Sequence, residues 1–122
     1  MTLLDSPVID LGESQTQWHA VCALSKLSPD RGACALIQGR QIAIFLSSFG
    51  ELFAVSNLDP VSRANVMSRG ILGSIGGRPT VSSPMYKQRF DLESGVCLDD
   101  PSIGLSVFAV RVTDGIVEVL LS

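Results

Sequence analysis

Residues 32–57 read G-A-C-A-L-I-Q-G-R-Q-I-A-I-F-L-S-S-F-G-E-L-F-A-V-S-N. Three short runs rich in Ile, Val, Phe and Ala are separated by two turn signals. Gln38-Gly39 joins the first two as a tight hairpin, and Ser48-Phe49-Gly50-Glu51 turns the chain again before L-F-A-V-S-N. This spacing predicts a three-stranded antiparallel meander complete by residue 57.

The same grammar extends outward. V-F-A-V-R-V-T (107–113) and I-V-E-V-L-L-S (116–122) flank Asp114-Gly115, a strong hairpin signal. Upstream, W-H-A-V-C-A-L (18–24) reads as a strand, and S-K-L-S-P-D-R-G (25–32) as a connection holding one helical turn. Residues 83–98, S-P-M-Y-K-Q-R-F-D-L-E-S-G-V-C-L, read as a loop, a short strand, the turn Glu93-Ser94-Gly95 and another short strand. Asp99-Asp100-Pro101 breaks the chain again. No segment of a dozen residues carries a helical stripe, and there is no internal repeat. The class is all-β, a small sandwich or barrel, with Trp18, Phe45, Phe53, Phe90 and Val110 as core candidates. Residues 58–82, with four glycines and two prolines, lack alternation and read as one long functional excursion. Residues 1–17 read as an N-terminal tail, and 18–122 as a single domain.

Composition narrows the function. The chain has 122 residues, 46% hydrophobic and 17% charged, which suits one packed domain and excludes a disordered chain. No apolar run is long enough for a bilayer, and M-T-L-L-D-S-P-V-I-D-L-G lacks a basic leader region, so a soluble cytoplasmic chain is expected. Cys22, Cys34 and Cys97 are scattered in apolar surroundings and read as three buried reduced thiols. His19 is the single histidine. Neither zinc-ligand spacing nor a nucleophilic triad is present, so self-sufficient metal or acid–base chemistry is not expected.

Charge is unevenly placed. Between Pro60 and Phe90 there is no Asp or Glu, while Arg63, Arg69, Arg78, Lys87 and Arg89 make that segment +5; the other residues, four basic and twelve acidic, carry −8. Such polarity orients a small domain towards a partner surface or an anion. Nucleic acid is excluded by the acidic total and by only Tyr86 and Phe90 as stacking groups near the basic side chains. Plainer roles exist too: Pro60 and Pro84 shape loops, Gly70, Gly73, Gly76 and Gly77 permit turns, Tyr86 packs on the loop partner, Met85 covers the end of the sandwich, and Asp59 caps a backbone turn.

The runs W-H-A-V-C-A-L-S-K-L, G-R-Q-I-A-I-F and G-E-L-F-A-V-S-N, followed by two loops, resemble a Rieske-type ferredoxin domain. That resemblance implies a β-sandwich with two long loops at one tip. In such proteins one loop carries C-x-H and the other C-x-x-H, and these side chains hold a two-iron two-sulfur cluster. Here N-L-D-P-V-S-R-A puts Asp59 and Val61 in the first pair of places, and S-P-M-Y-K-Q-R-F-D puts Ser83 and Tyr86 in the second. No cluster, and no other metal, is therefore expected.

Within that fold, D-P in loop one, S-R-G-I-L-G in the connection and S-P-M-Y-K-Q-R-F-D in loop two resemble the small-subunit family of NAD(P)H-dependent nitrite reductases. The resemblance spans about residues 18–120. It implies a non-catalytic, cofactor-free subunit docking on a large subunit. That partner holds siroheme, an iron–sulfur cluster and FAD, takes electrons from NAD(P)H, and reduces nitrite to ammonium. Arg63, Arg69, Arg78, Lys87 and Arg89 are the candidate contacts. The alternative is a stand-alone binding or regulatory module that recognises a small anion or another protein.

Overall fold

A computed structural model describes residues 17–121. Ten strands form three antiparallel sheets: β1 (Gln17–Ala23), β2 (Gly32–Ile37), β3 (Arg40–Leu46), β4 (Leu52–Ser56), β5 (Ile71–Ile75), β6 (Arg78–Ser82), β7 (Arg89–Asp91), β8 (Val107–Phe108), β9 (Val110–Thr113) and β10 (Ile116–Leu121). The sheet orders are β1-β10-β9, β2-β3-β4-β8 and β5-β6-β7. The expected meander is the middle of the molecule. Gln38 and Gly39 both take positive φ, 51° and 79°, as a two-residue primed turn requires, and Asp114-Gly115 repeats that geometry.

β3 organises the packing because both its faces are buried. Ala43 and Phe45 face one core, with Phe53, Val55, Val81 and Phe90. Ile42 and Ile44 face the other, with Ala54, Val117, Val119 and Leu121. The central sheet thus separates two apolar layers, and the small sheets close them. Phe45, Phe53 and Phe90 are buried as expected. Trp18 and Val110 are only half-buried; the Arg111 guanidinium lies over the Trp18 ring, 4.0 Å from its centre.

Three expectations change. Residues 58–82 are not one irregular excursion: β5 and β6 pair across a Gly76-Gly77 turn with φ of 59° and 82°. The run 107–113 is divided, with β8 pairing to β4 and β9 to β10. Of the three thiols, Cys97 is buried, Cys22 is half-buried and Cys34 is exposed, because β2 is an edge strand that turns Cys34 outward. The tail expected at 1–17 lies outside the described residues except for Gln17, which pairs with Leu121 in β1.

One close approach fixes the entry to β2. A Cβ on Gly32 would stand 2.0 Å from the Ser68 carbonyl oxygen, whereas one on Gly73 would meet nothing nearer than 3.4 Å. Gly32→Ala is therefore expected to cost about 1–3 kcal/mol and lower the thermal midpoint by several degrees, while Gly73→Ala stays near neutral. Equal midpoints for the two variants in a thermal melt contradict this packing.

Candidate functional site

Loop one (57–66) leaves β4, and loop two (83–88) leaves β6; they meet at one end of the molecule. The two are near-copies. In loop one the Asp59 N–H donates to Ala64 O at 2.8 Å, and the Arg63 N–H donates to Asp59 O at 2.8 Å. In loop two the Ser83 N–H donates to Gln88 O at 2.8 Å, and the Lys87 N–H to Ser83 O at 3.0 Å. The Val61 N–H donates to Asp59 Oδ1 (2.9 Å), and the Met85 N–H to Ser83 Oγ (3.2 Å). A proline follows Asp59 in loop one and Ser83 in loop two. Arg63 and Lys87 occupy equivalent places with the same φ, 66°.

Where this turn recurs, at Asp91–Val96, the equivalent residue is Gly95, with φ of 81°. An L side chain in the left-handed region costs about 1 kcal/mol or more. Both tip loops nonetheless place an exposed cation there.

The loops are joined by a single side-chain bond. Ser83 Oγ donates to Asp59 Oδ2 at 2.5 Å, and both residues are buried. Asn57, also buried, anchors loop one to the middle sheet. Its Nδ2 donates to Gln41 Oε1 (3.0 Å), Asn65 O (3.1 Å) and Cys34 Sγ (3.4 Å), and its Oδ1 accepts from the Ser68 N–H (2.7 Å). Burial pushes the Asp59 carboxyl up, but hydrogen bonds from Ser83, Val61 and Ser62 outweigh it and leave the group below the usual carboxylate range.

Around this buried pair the tip exposes four large apolar side chains. Leu58, Val61, Met85 and Tyr86 are exposed, Tyr86 to 61%. Of the five candidate cations, the structure separates two from the rest. Arg78 Nε pairs with the buried Asp91 carboxylate, and its Nη2 lies 3.3 Å from Glu93 Oε1. Arg89 forms a fork on Asp99, Nη2 to Oδ1 at 2.7 Å and Nε to Oδ2 at 3.3 Å. Arg63, Arg69 and Lys87 have no carboxylate within ion-pair distance among the described residues. The roles of Asn57 and of the Asp59–Ser83 bond are absent from the sequence reading. The near-repeat of Asx-Pro and Ser-Pro, each with a cation three residues after the proline, was the available signal.

The family model described as "Rieske-like [2Fe-2S] domain" matches residues 17–120. The nitrite reductase (NADH) small subunit of Salmonella typhimurium is 39% identical over 104 residues, covering 84% of this chain and 96% of that one. The chain belongs to the nitrite reductase small-subunit family. A crystal structure from Mycobacterium tuberculosis, described as an NADH-dependent nitrite reductase small subunit, matches with a TM-score of 0.85 and 45% identity, over 88% of this chain and 96% of that one. A nitrite reductase [NAD(P)H] large subunit of Klebsiella oxytoca is 43% identical over 99 residues, which cover 80% of this chain but 10% of that protein.

A Rieske cluster needs two thiolates and two imidazoles. The side chains at those places do not fit it. Asp59 and Ser83 satisfy each other, Val61 has no donor atom, and Tyr86 offers an exposed phenol. Among the described residues no three His, Cys, Asp or Glu side chains gather as a metal-binding group. No helix among them is long and apolar enough to cross a membrane.

The Asp59–Ser83 bond is expected to hold the tip together. Ser83→Ala, which leaves a buried carboxylate oxygen unpartnered, should cost about 1–3 kcal/mol. Amide exchange in loops one and two should accelerate more than in β3. Uniform or unchanged exchange contradicts that role.

The fold should also weaken in acid. The Arg78 hydrogen bond, opposed by burial and aided by the Ser94 and Glu93 N–H groups, holds the Asp91 carboxyl down at about 2. A carboxyl lowered in the folded chain stabilises the fold above its unfolded pKa, about 3.9, and loses that contribution as pH falls through the folded value. Wild-type stability should therefore decline between about pH 4 and pH 2, by something on the order of 1–2 kcal/mol from this pair. Asp91→Asn should be less stable at pH 7 and show a shallower acid slope. Parallel denaturation profiles for the two proteins contradict it.

Proposed function

We propose that the chain is a non-catalytic accessory subunit of a cytoplasmic NAD(P)H-dependent nitrite reductase and carries no cluster of its own. On this reading it docks through loops one and two on the siroheme-containing large subunit, which also holds FAD and an iron–sulfur cluster and reduces nitrite to ammonium. The observation that carries the reading is the tip itself: an exposed apolar crest of Leu58, Val61, Met85 and Tyr86, with the cations Arg63 and Lys87 in the same two loops. An exposed apolar centre with a charged rim is the usual anatomy of a protein interface.

The large-subunit relative supports the choice of partner, because a domain like this one makes up a tenth of its length. Two units that can be one chain share a working distance when they are separate chains. Arg78 and Arg89 take a lesser part in this docking, since moving them to a partner breaks existing ion pairs. Arg63→Glu and Lys87→Glu should each reduce co-purification with the large subunit, and Val61→Ala combined with Tyr86→Ala should reduce it further. Arg40→Glu, beside the Gln38-Gly39 turn, should leave it unchanged. Wild-type recovery in every tip variant overturns the docking surface.

A further inference from the structure

A groove of about 320 Å³ is lined by Asp30, Arg31, Gly32, Ser68, Arg69 and Gly70. It joins two segments distant in sequence: the residues entering β2, and the 3-10 turn Met67–Arg69. Their proximity is enforced by backbone contact. A Cβ on Gly32 would stand 2.0 Å from Ser68 O, which ties the two segments together, and Gly70 is held in turn against β6, where a Cβ would stand 2.5 Å from Ser82 O. Each arginine immediately precedes one of these constrained glycines, so Arg31 and Arg69 are delivered to the same groove.

Among the described residues neither guanidinium has a carboxylate within ion-pair distance. Asp30, the one acid lining the groove, uses Oδ1 to accept the Ser48 N–H at 3.2 Å. Two arginines and one aspartate leave a formal +1, which a monoanion balances. The planar guanidinium fork matches the edge of a bent group with two equivalent oxygens.

We propose that Arg31 and Arg69 form a clamp for a bent two-oxygen monoanion, an XO2⁻ group presented either by free nitrite or by a carboxylate. The clamp does not depend on docking by the tip, and its test uses this chain alone. The full chain, labelled with ¹⁵N, is titrated with sodium nitrite and separately with sodium acetate, chloride being adjusted to hold ionic strength constant. Saturable shifts are expected at the amides of Gly32, Ser68 and Gly70. Arg31→Gln and Arg69→Gln should each weaken binding at least tenfold, and Arg40→Gln should leave it unchanged. Preserved spectral dispersion shows that these exposed substitutions leave the fold intact.

Nitrite binding at least tenfold tighter than acetate assigns the clamp to the free ion. Comparable or tighter acetate binding assigns it to a carboxylate side chain of a partner. The proposal is overturned if neither ion gives a saturable shift, if both glutamine variants bind as wild type does, or if Arg40→Gln weakens binding as much as they do.

Discussion

The hydrogen bond from Ser83 to Asp59 is the constraint on which the tip depends. Loops one and two leave different sheets, and each is internally closed by its own turn bonds. What holds one against the other through side chains is this buried contact of 2.5 Å. A hydrogen bond to a charged acceptor is worth about 1.5–3 kcal/mol in the folded state. It gains further weight here because neither partner can turn to water. Asp59 also caps its own turn through Oδ1, so the same carboxylate shapes loop one and ties down loop two.

That arrangement ties the two loops together through this chain's own side chains. A cluster would crosslink them through strong ligand bonds from four side chains. The present chain substitutes a network of weaker bonds: Asp59 with Ser83, Asn57 with four partners, and the paired backbone bonds of each turn. Hydrogen bonds impose direction as well as attraction, so the network fixes how the two loops meet. The four places that the Rieske resemblance sets against ligands divide by burial. Asp59 and Ser83, which bond to each other, are buried, whereas Val61 and Tyr86 face outward.

Legibility in the sequence followed locality. The turns at Gln38-Gly39 and Asp114-Gly115 were readable because two residues and their apolar flanks determine each of them. The β5–β6 hairpin was not, although Gly76-Gly77 announces it. β5 is largely exposed and β6 contains Pro79, so neither flank shows clean alternation. The division of 107–113 between two sheets depends on β4 and β10, which are remote in sequence. Core positions Phe45, Phe53 and Phe90 were legible for the same reason that Trp18 was misleading: burial follows alternation only where a second layer covers the strand.

Charge was the least legible property, because a count along the chain is blind to pairing across it. The acid-free window ended at Phe90, one residue before the carboxylate that Arg78 reaches. Asp99 does the same for Arg89. Removing those two cations reduces the apparent +5 to Arg63, Arg69 and Lys87. Arg31, outside the window, lies with Arg69 in one groove. The backbone conformations sharpen this further. Lys87 and Arg63 occupy the left-handed position that Gly95 fills in the third copy of the turn, so the tip tolerates local backbone strain at both of its exposed cations. Strain of this kind persists only where surrounding bonds over-determine the backbone, and the Asp59–Ser83 contact supplies that over-determination for both loops at once.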